Sequence, residues 1–188
     1  MKRLISFVFT LLLTLSLSAA SQEQMIKNIA SLCAKISETT SAFSEERSNP
    51  RKPKQTLQGT LTYRSDNYLS MEYTVDTEKF LIEKGQMLNR RDGKTMKYDL
   101  SKNLPMRNLS NTLLYSFSGQ LEKLSKEQNT TLQVKEQGDY YVVVLDAVKK
   151  QARGYSHIEI TYLKKNGKLI EMKMDEFNGL STLYRLVK

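Results

Sequence analysis

The sequence predicts a mainly β protein with some helix, an antiparallel α+β fold of about ten or eleven strands. Three observations predict it. Apolar and polar residues alternate with period two through most of the chain after Thr56. Residues suited to tight turns, such as Lys84-Gly85, Asp92-Gly93 and Asn166-Gly167, separate the alternating runs. Only two stretches carry apolar residues at the three- and four-residue spacing of a helix.

Taken in order, Lys2 and Arg3 precede an uncharged apolar run, Leu4 to Leu17, and then Ser18-Ala19-Ala20. This is the pattern of a secretory signal cleaved after Ala20. The apolar run is short for a bilayer span. No Cys stands at the cleavage point to anchor a lipid. Residues 21–188 are then expected to form a single domain, of a length suited to one core.

Gln22 to Thr39 places Met25, Ile26, Ile29, Leu32, Cys33 and Ile36 on one helical stripe. Ser41 to Arg47 reads as a strand with Phe43 inward, and Asn49 to Lys54 as a basic, proline-broken loop carrying Arg51, Lys52 and Lys54. From Thr56 to Asp99 five strands form a meander. Leu57, Leu61 and Tyr63 share one face, then Leu69, Met71, Tyr73 and Val75, with Met96 and Tyr98 continuing it. Leu100 to Ser110, with Pro105, reads as an irregular connection. Asn111 to Glu127 carries Leu113, Leu114, Phe117, Leu121 and Leu124, predicting one or two helices broken near Ser118-Gly119. Such a segment serves either as a lid or as a plain crossover.

Thr130 to Gln137 is again a strand. Tyr140 to Val148 is apolar on both faces, which predicts a central strand or one covered on both sides. A second basic loop holds Lys149, Lys150 and Arg153. His157 to Leu163 and Leu169 to Glu176 flank the strongest hairpin signal, and Asn178-Gly179 turns the chain into Ser181 to Val187. A sheet of this size must curl or split into two layers. A solid core and an apolar cavity would use the same inward residues, so alternation does not separate them.

The chain has 29 Lys and Arg against 20 Asp and Glu, a net charge of +9. In an exported protein this is equally the charge of a soluble surface and that of one suited to an anionic membrane or an acidic partner; it does not point to nucleic acid. Cys33 is the single cysteine, so no internal disulfide forms. His157 is the single histidine, no Gly-x-Ser-x-Gly elbow or phosphate-binding glycine loop occurs, and metal-ligand types are few. The expectation is a non-enzymatic protein without a cofactor.

The helix, then Ser-Ala-Phe-Ser-Glu-Glu-Arg from Ser41, Gln58 to Tyr73, and Lys79 to Asp99, together resemble the periplasmic outer-membrane lipoprotein carriers, the LolA family. Phe43 matches its Phe-x-Gln, with Glu45 in place of Gln. Gly59 and Leu61 match its Gly-x-Leu. Leu81-Ile82 match its aliphatic pair, followed by Lys84-Gly85 where Asp-Gly is usual. Asp175, Asn178-Gly179 and Thr182 resemble its closing strand pair. The family's second basic residue and proline after the Gly-x-Leu strand, of which the basic residue helps to hold a lid, are replaced by Ser65 and Asp66. Arg64 keeps the first basic position.

The resemblance implies an incomplete, strongly curved barrel with helices over its concave side. It implies acyl chains of lipoproteins, or related lipids, held in an apolar cavity lined by Phe43, Leu57, Leu61, Tyr63, Leu69, Met71, Tyr73, Met96, Tyr98, Phe117 and Leu121. Arg64 and Leu69 are expected at the lid or rim. Implied partners are an inner-membrane ABC transporter as donor and an outer-membrane receptor, where one is present, as acceptor. The chain is expected to act as a periplasmic monomer. The alternative on the same fold is a binding module that senses lipid or lipoprotein and reports to a membrane partner.

Overall fold

The computed structural model describes residues 21–150 and 154–187. The expected signal segment and Arg153 therefore lie outside the described residues.

Alternation and turn chemistry build one antiparallel sheet of eleven strands. They are β1 (Glu38–Asn49), β2 (Lys52–Arg64), β3 (Tyr68–Tyr73), β4 (Lys79–Glu83), β5 (Gln86–Arg91), β6 (Lys94–Asp99), β7 (Thr130–Gln137), β8 (Tyr140–Ala147), β9 (Tyr155–Leu163), β10 (Leu169–Glu176) and β11 (Ser181–Leu186). Their spatial order is β6-β5-β4-β3-β2-β1-β11-β10-β9-β8-β7. Chain neighbours pair through short turns, and β1 pairs with β11 to join the two meanders. Among the described residues β6 and β7 stay unpaired with each other, so the curved sheet is an open barrel. Lys84-Gly85 and Asp92-Gly93 each supply two successive positive φ angles, the geometry that tight hairpins require.

Register aligns the inward residues into one surface. Phe43 faces Gly59 and Leu186, Leu61 faces Met71, Tyr63 faces Leu69, and Leu69 faces Ile82. Val143 faces Ile160, which faces Met172. Gly59 stands where the ladder is drawn in tightly. A Cβ there would fall 2.1 Å from the Glu72 carbonyl oxygen, closer than any side chain tolerates.

Three helices cover the concave side: α1 (residues 21–33), α2 (Leu104–Ser118) and α3 (Leu121–Gln128). The chain breaks between α2 and α3 at Gly119, whose φ of 68° is left-handed and favours glycine. A Cβ on Gly119 would press within 3.0 Å of Cys33 on α1. Cys33 itself is buried, and its thiol donates to the Gly167 carbonyl at 3.3 Å.

Several expectations are corrected. α1 stops at residue 33 rather than running to Thr39, because Thr39 and Thr40 are β-branched and pair with Tyr63 and Thr62 in β2. The basic loop shrinks to the turn at Pro50-Arg51, and Lys52 and Lys54 belong to β2. Val75 lies beyond β3 and is exposed. The connection read as irregular is half helix. The Asn103 side chain accepts from the Met106 amide at 3.2 Å, and Pro105 sits in the first turn, where its missing N–H costs nothing. β8 is next to the edge rather than central, with Val142 and Val144 half-buried on its outer face.

Candidate functional site

The inner face of the sheet and the helices laid into it form the candidate site. Phe43, Leu57, Leu61, Tyr63, Leu69, Met71, Phe117 and Leu121 are all buried there. Tyr73 and Tyr98 are half-buried, and Met96, on the edge strand β6, is 43 % exposed. Leu69, expected at a rim, is fully buried, flanked in the sheet by Tyr63 on β2 and Ile82 on β4.

Helix α2 docks by its C-terminal half. The Phe117 ring stacks on Tyr63 with centroids 5.2 Å apart and planes 21° from parallel. The Tyr162 hydroxyl donates to the Ser116 carbonyl at 2.6 Å. Burial pushes the Tyr162 hydroxyl pKa well up, with the neighbouring Cys33 and Tyr63 adding to it, so it stays a donor. α3 is tied to α2 by Gln128 donating to Thr112 at 2.9 Å, and by Asn111 and Tyr115 donating to Glu127. The helix side chains fill the middle of the concavity, so a ligand reaches the inner face only when the α2–α3 pair moves away.

Arg64 does not reach this pair in the structure. It stacks 3.8 Å over the Tyr68 ring and pairs with Asp66 at 3.4 Å. Strand alternation puts it on the face opposite Tyr63. Among the described residues Tyr162, which sequence reasoning missed, supplies the hydrogen bond from the sheet to α2.

A cavity of about 510 Å³ opens beside the N-terminal half of α2. Leu104, Pro105, Met106 and Leu109 form one wall, with Tyr155 and Glu176 across from them. None of the residues expected to line a pocket borders it. The signal was present in Asn103-Leu104-Pro105, a cap followed by a first-turn proline, but a proline read alone suggests a break.

Sequence reasoning also missed a buried polar group on the inner face. Arg47 donates to both carboxylate oxygens of Glu45, at 2.7 and 3.0 Å, and to Glu78 at 3.0 Å. The Tyr73 hydroxyl donates to Glu45 at 2.6 Å, and the Asp92 amide donates to Glu78 at 3.0 Å. Burial would lower the Arg47 pKa, but the Glu45 and Glu78 contacts outweigh it and raise the value. Burial and then the Glu45 charge raise that of Tyr73. The legible signal was the spacing Phe43-x-Glu45-x-Arg47, two charges on the inward side of a strand. Among the described residues no group of three His, Cys, Asp or Glu side chains could hold a metal ion.

Of the basic positions, Arg51 sits in the β1–β2 turn, Lys52 is exposed, and Lys54 is paired with Glu46. Lys149 and Lys150 are exposed after β8.

Residues 34–188 match the family model described as outer membrane lipoprotein carrier protein LolA. The chain belongs to this family. Similar solved LolA-type structures include a LolA superfamily protein from Nitrosomonas europaea, at 8 % identity and a TM-score of 0.39, over 89 % of this chain and 92 % of that one. A putative outer membrane lipoprotein-sorting protein domain from Vibrio parahaemolyticus is 10 % identical, with a TM-score of 0.41, over 90 % and 92 %. A structure of the CwlD amidase from Clostridioides difficile in complex with the GerS lipoprotein aligns at 12 % identity and a TM-score of 0.37, over 84 % and 87 %. No curated protein matches the sequence. Membership of the LolA family supports a lipoprotein-binding or sorting type of role. No helix among the described residues is long and apolar enough to cross a membrane.

Proposed function

We propose that this chain is a non-enzymatic periplasmic carrier that shields the acyl chains of lipoproteins and moves them between membranes. The observation that carries the reading is the largely apolar inner face, from Met87 on β5 to Leu145 on β8, interrupted by the self-satisfied Glu45–Arg47–Glu78 group and roofed by a helix pair rather than sealed by strands. Burying a methylene is worth about 0.8 kcal/mol, so an acyl chain of about 15 methylenes would cost on the order of 12 kcal/mol to leave in water. A face of Leu, Ile, Met and Phe offers that burial without directional bonds, and its flexible Met side chains adapt to chain shape. Exchange of the α2–α3 side chains for acyl chains keeps the face covered in both states. An inner-membrane ABC transporter is the donor in this reading, and an outer-membrane receptor, where present, the acceptor.

The test is cargo solubility and hand-off. Incubated with a labelled lipoprotein, the purified protein should hold it in solution, and should ignore the same polypeptide without its acyl chains. Acceptor membranes should then take the label. Failure to hold acylated cargo would refute the proposal. Cargo held but never released to acceptor membranes would instead favour a lipid-sensing module.

A further inference from the structure

The cavity beside α2 has a rim whose composition the carrier reading does not use. Leu104 is 56 % exposed and Val148 62 % exposed, well beyond the neighbouring apolar side chains. Both belong to one rim. Leu104 lines the cavity with Gln128, and the next residue, Asn129, accepts at its carbonyl from the Val148 amide at 3.1 Å. Asn178 also lines the cavity. Its neighbour Gly179 packs on Pro50, with an ideal Cβ 2.9 Å from Pro50 Cγ, which brings the β1–β2 turn and Arg51 to the same rim.

Exposed cations stand among these apolar side chains. Arg51, Lys52, Lys149 and Lys150 are all exposed. Among the described residues none of the four takes part in an ion pair, whereas Lys54, Lys164 and Arg185 do. The cavity carboxylates are engaged locally: Glu127 by Asn111 and Tyr115, and Glu176 by Asn178 at 2.9 Å. These neutral donors leave both carboxylates charged, so the rim carries cations in excess over two carboxylates, interleaved with one aliphatic side chain at the start of α2 and one after β8.

We propose that this rim docks on an anionic bilayer surface, with Leu104 and Val148 dipping into the headgroup boundary and the four cations against lipid phosphates. Interfacial segments combine apolar side chains that enter the boundary layer with Lys and Arg that stay among the headgroups. An acidic protein partner would be met by the same charges, and binding to protein-free vesicles separates the two. Docking in this orientation sets the cavity mouth against the membrane, so an acyl chain passes between bilayer and cavity without crossing open water. The proposal rests on the carrier reading only for that last step.

The experiment is co-sedimentation of the purified protein with phosphatidylcholine vesicles, with and without phosphatidylglycerol. Binding should require phosphatidylglycerol and fall with added salt. Lys149→Glu with Lys150→Glu should weaken it by about tenfold or more. Leu104→Ser with Val148→Ser should also weaken it, although every charge remains. Lys165→Glu, on the β9–β10 turn at the other end of those strands, should leave it unchanged. These are exposed side chains, and an unchanged thermal unfolding curve confirms the fold of each variant. Absence of binding to phosphatidylglycerol vesicles overturns the proposal. So does binding that ignores the rim substitutions, or that Lys165→Glu weakens equally. Uptake of a fluorescent fatty acyl probe without vesicles is read in parallel, and loss of that uptake counts against the carrier reading alone.

Discussion

The two halves of helix α2 face opposite fates. From Ser110 to Ser118 the helix is stacked on Tyr63, bonded to Tyr162 and braced against α3, with Ser110, Leu113, Leu114 and Phe117 buried. From Leu104 to Leu109 none of its side chains is fully buried: Met106 and Leu109 pack only partly against the core, and the segment borders a cavity. The halves differ in sequence as well as in surroundings: 104–109 carries a proline and an arginine, whereas 110–118 carries the aromatic Tyr115 and Phe117 and small hydroxyl residues that fit close against the sheet. Local stability follows packed contacts and protected hydrogen bonds. The C-terminal half of α2 is therefore the more firmly held, and the N-terminal half is held by its Asn103 cap and partial packing.

Four experiments test that contrast. The largest effect is expected in the more firmly held half. Phe117→Ala should cost about 3–5 kcal/mol in equilibrium unfolding, as truncated buried aromatics do, whereas Met106→Ala should cost about 1 kcal/mol or less. Similar losses would dissolve the contrast. Next comes the inner-face polar group. Arg47→Met leaves Glu45 and Glu78 buried beside each other and should destabilise by about 3–5 kcal/mol, while the triple change with Glu45→Gln and Glu78→Gln should recover much of it. Unfolding in urea checks both.

A smaller effect is expected for Tyr162→Phe, which deletes only the hydroxyl bonded to the Ser116 carbonyl. The loss should be about 1 kcal/mol. Amide exchange should rise around Ser116 and Phe117 while residues 104–109 stay as they were. Uniform exchange along α2 in the wild type would contradict a more firmly held C-terminal half.

The smallest effect is on pH dependence. Burial raises the Cys33 thiol from 9.0 to about 12, so the folded state holds that proton more tightly than the unfolded chain. Its contribution to stability is complete below pH 9.0 and declines as pH rises towards about 12. The raised Tyr162 and Tyr73 hydroxyls act in the same direction above pH 10.0. Melting temperature should fall from pH 9.0 upwards, and Cys33→Ala should flatten only the first part of that fall. An identical profile in the variant would show that the thiol does not titrate with unfolding.

The strands were largely legible because each carries its own period of two and its own turn residues. Lys84-Gly85 and Asp92-Gly93 state their hairpins within two residues. The lid break at Gly119 was legible for a similar local reason. What escaped depends on distant partners. Nothing near Leu69 says that Tyr63 and Ile82 will flank it. Nothing near Glu78 says that it meets Arg47 thirty-one residues earlier. The thin use of Tyr162 as a strand residue gave no hint of its bond to α2, since the donor and the acceptor lie 46 residues apart. Leu104 to Leu109 was misjudged because Pro105 reads as a breaker unless its place in the first turn is recognised.

The missing seam between β6 and β7 has a mechanical consequence. In a closed barrel, strand number and stagger set the girth, and widening it means breaking a ladder of hydrogen bonds. Here the circuit is completed by helices, and on the β7 side by the Gln22 side chain donating to the Leu132 carbonyl at 3.0 Å. Side-chain packing across such a gap slides, whereas a strand ladder is all or none. The sheet is thus built as a split ring: parting its two ends breaks no strand pairing among the described residues.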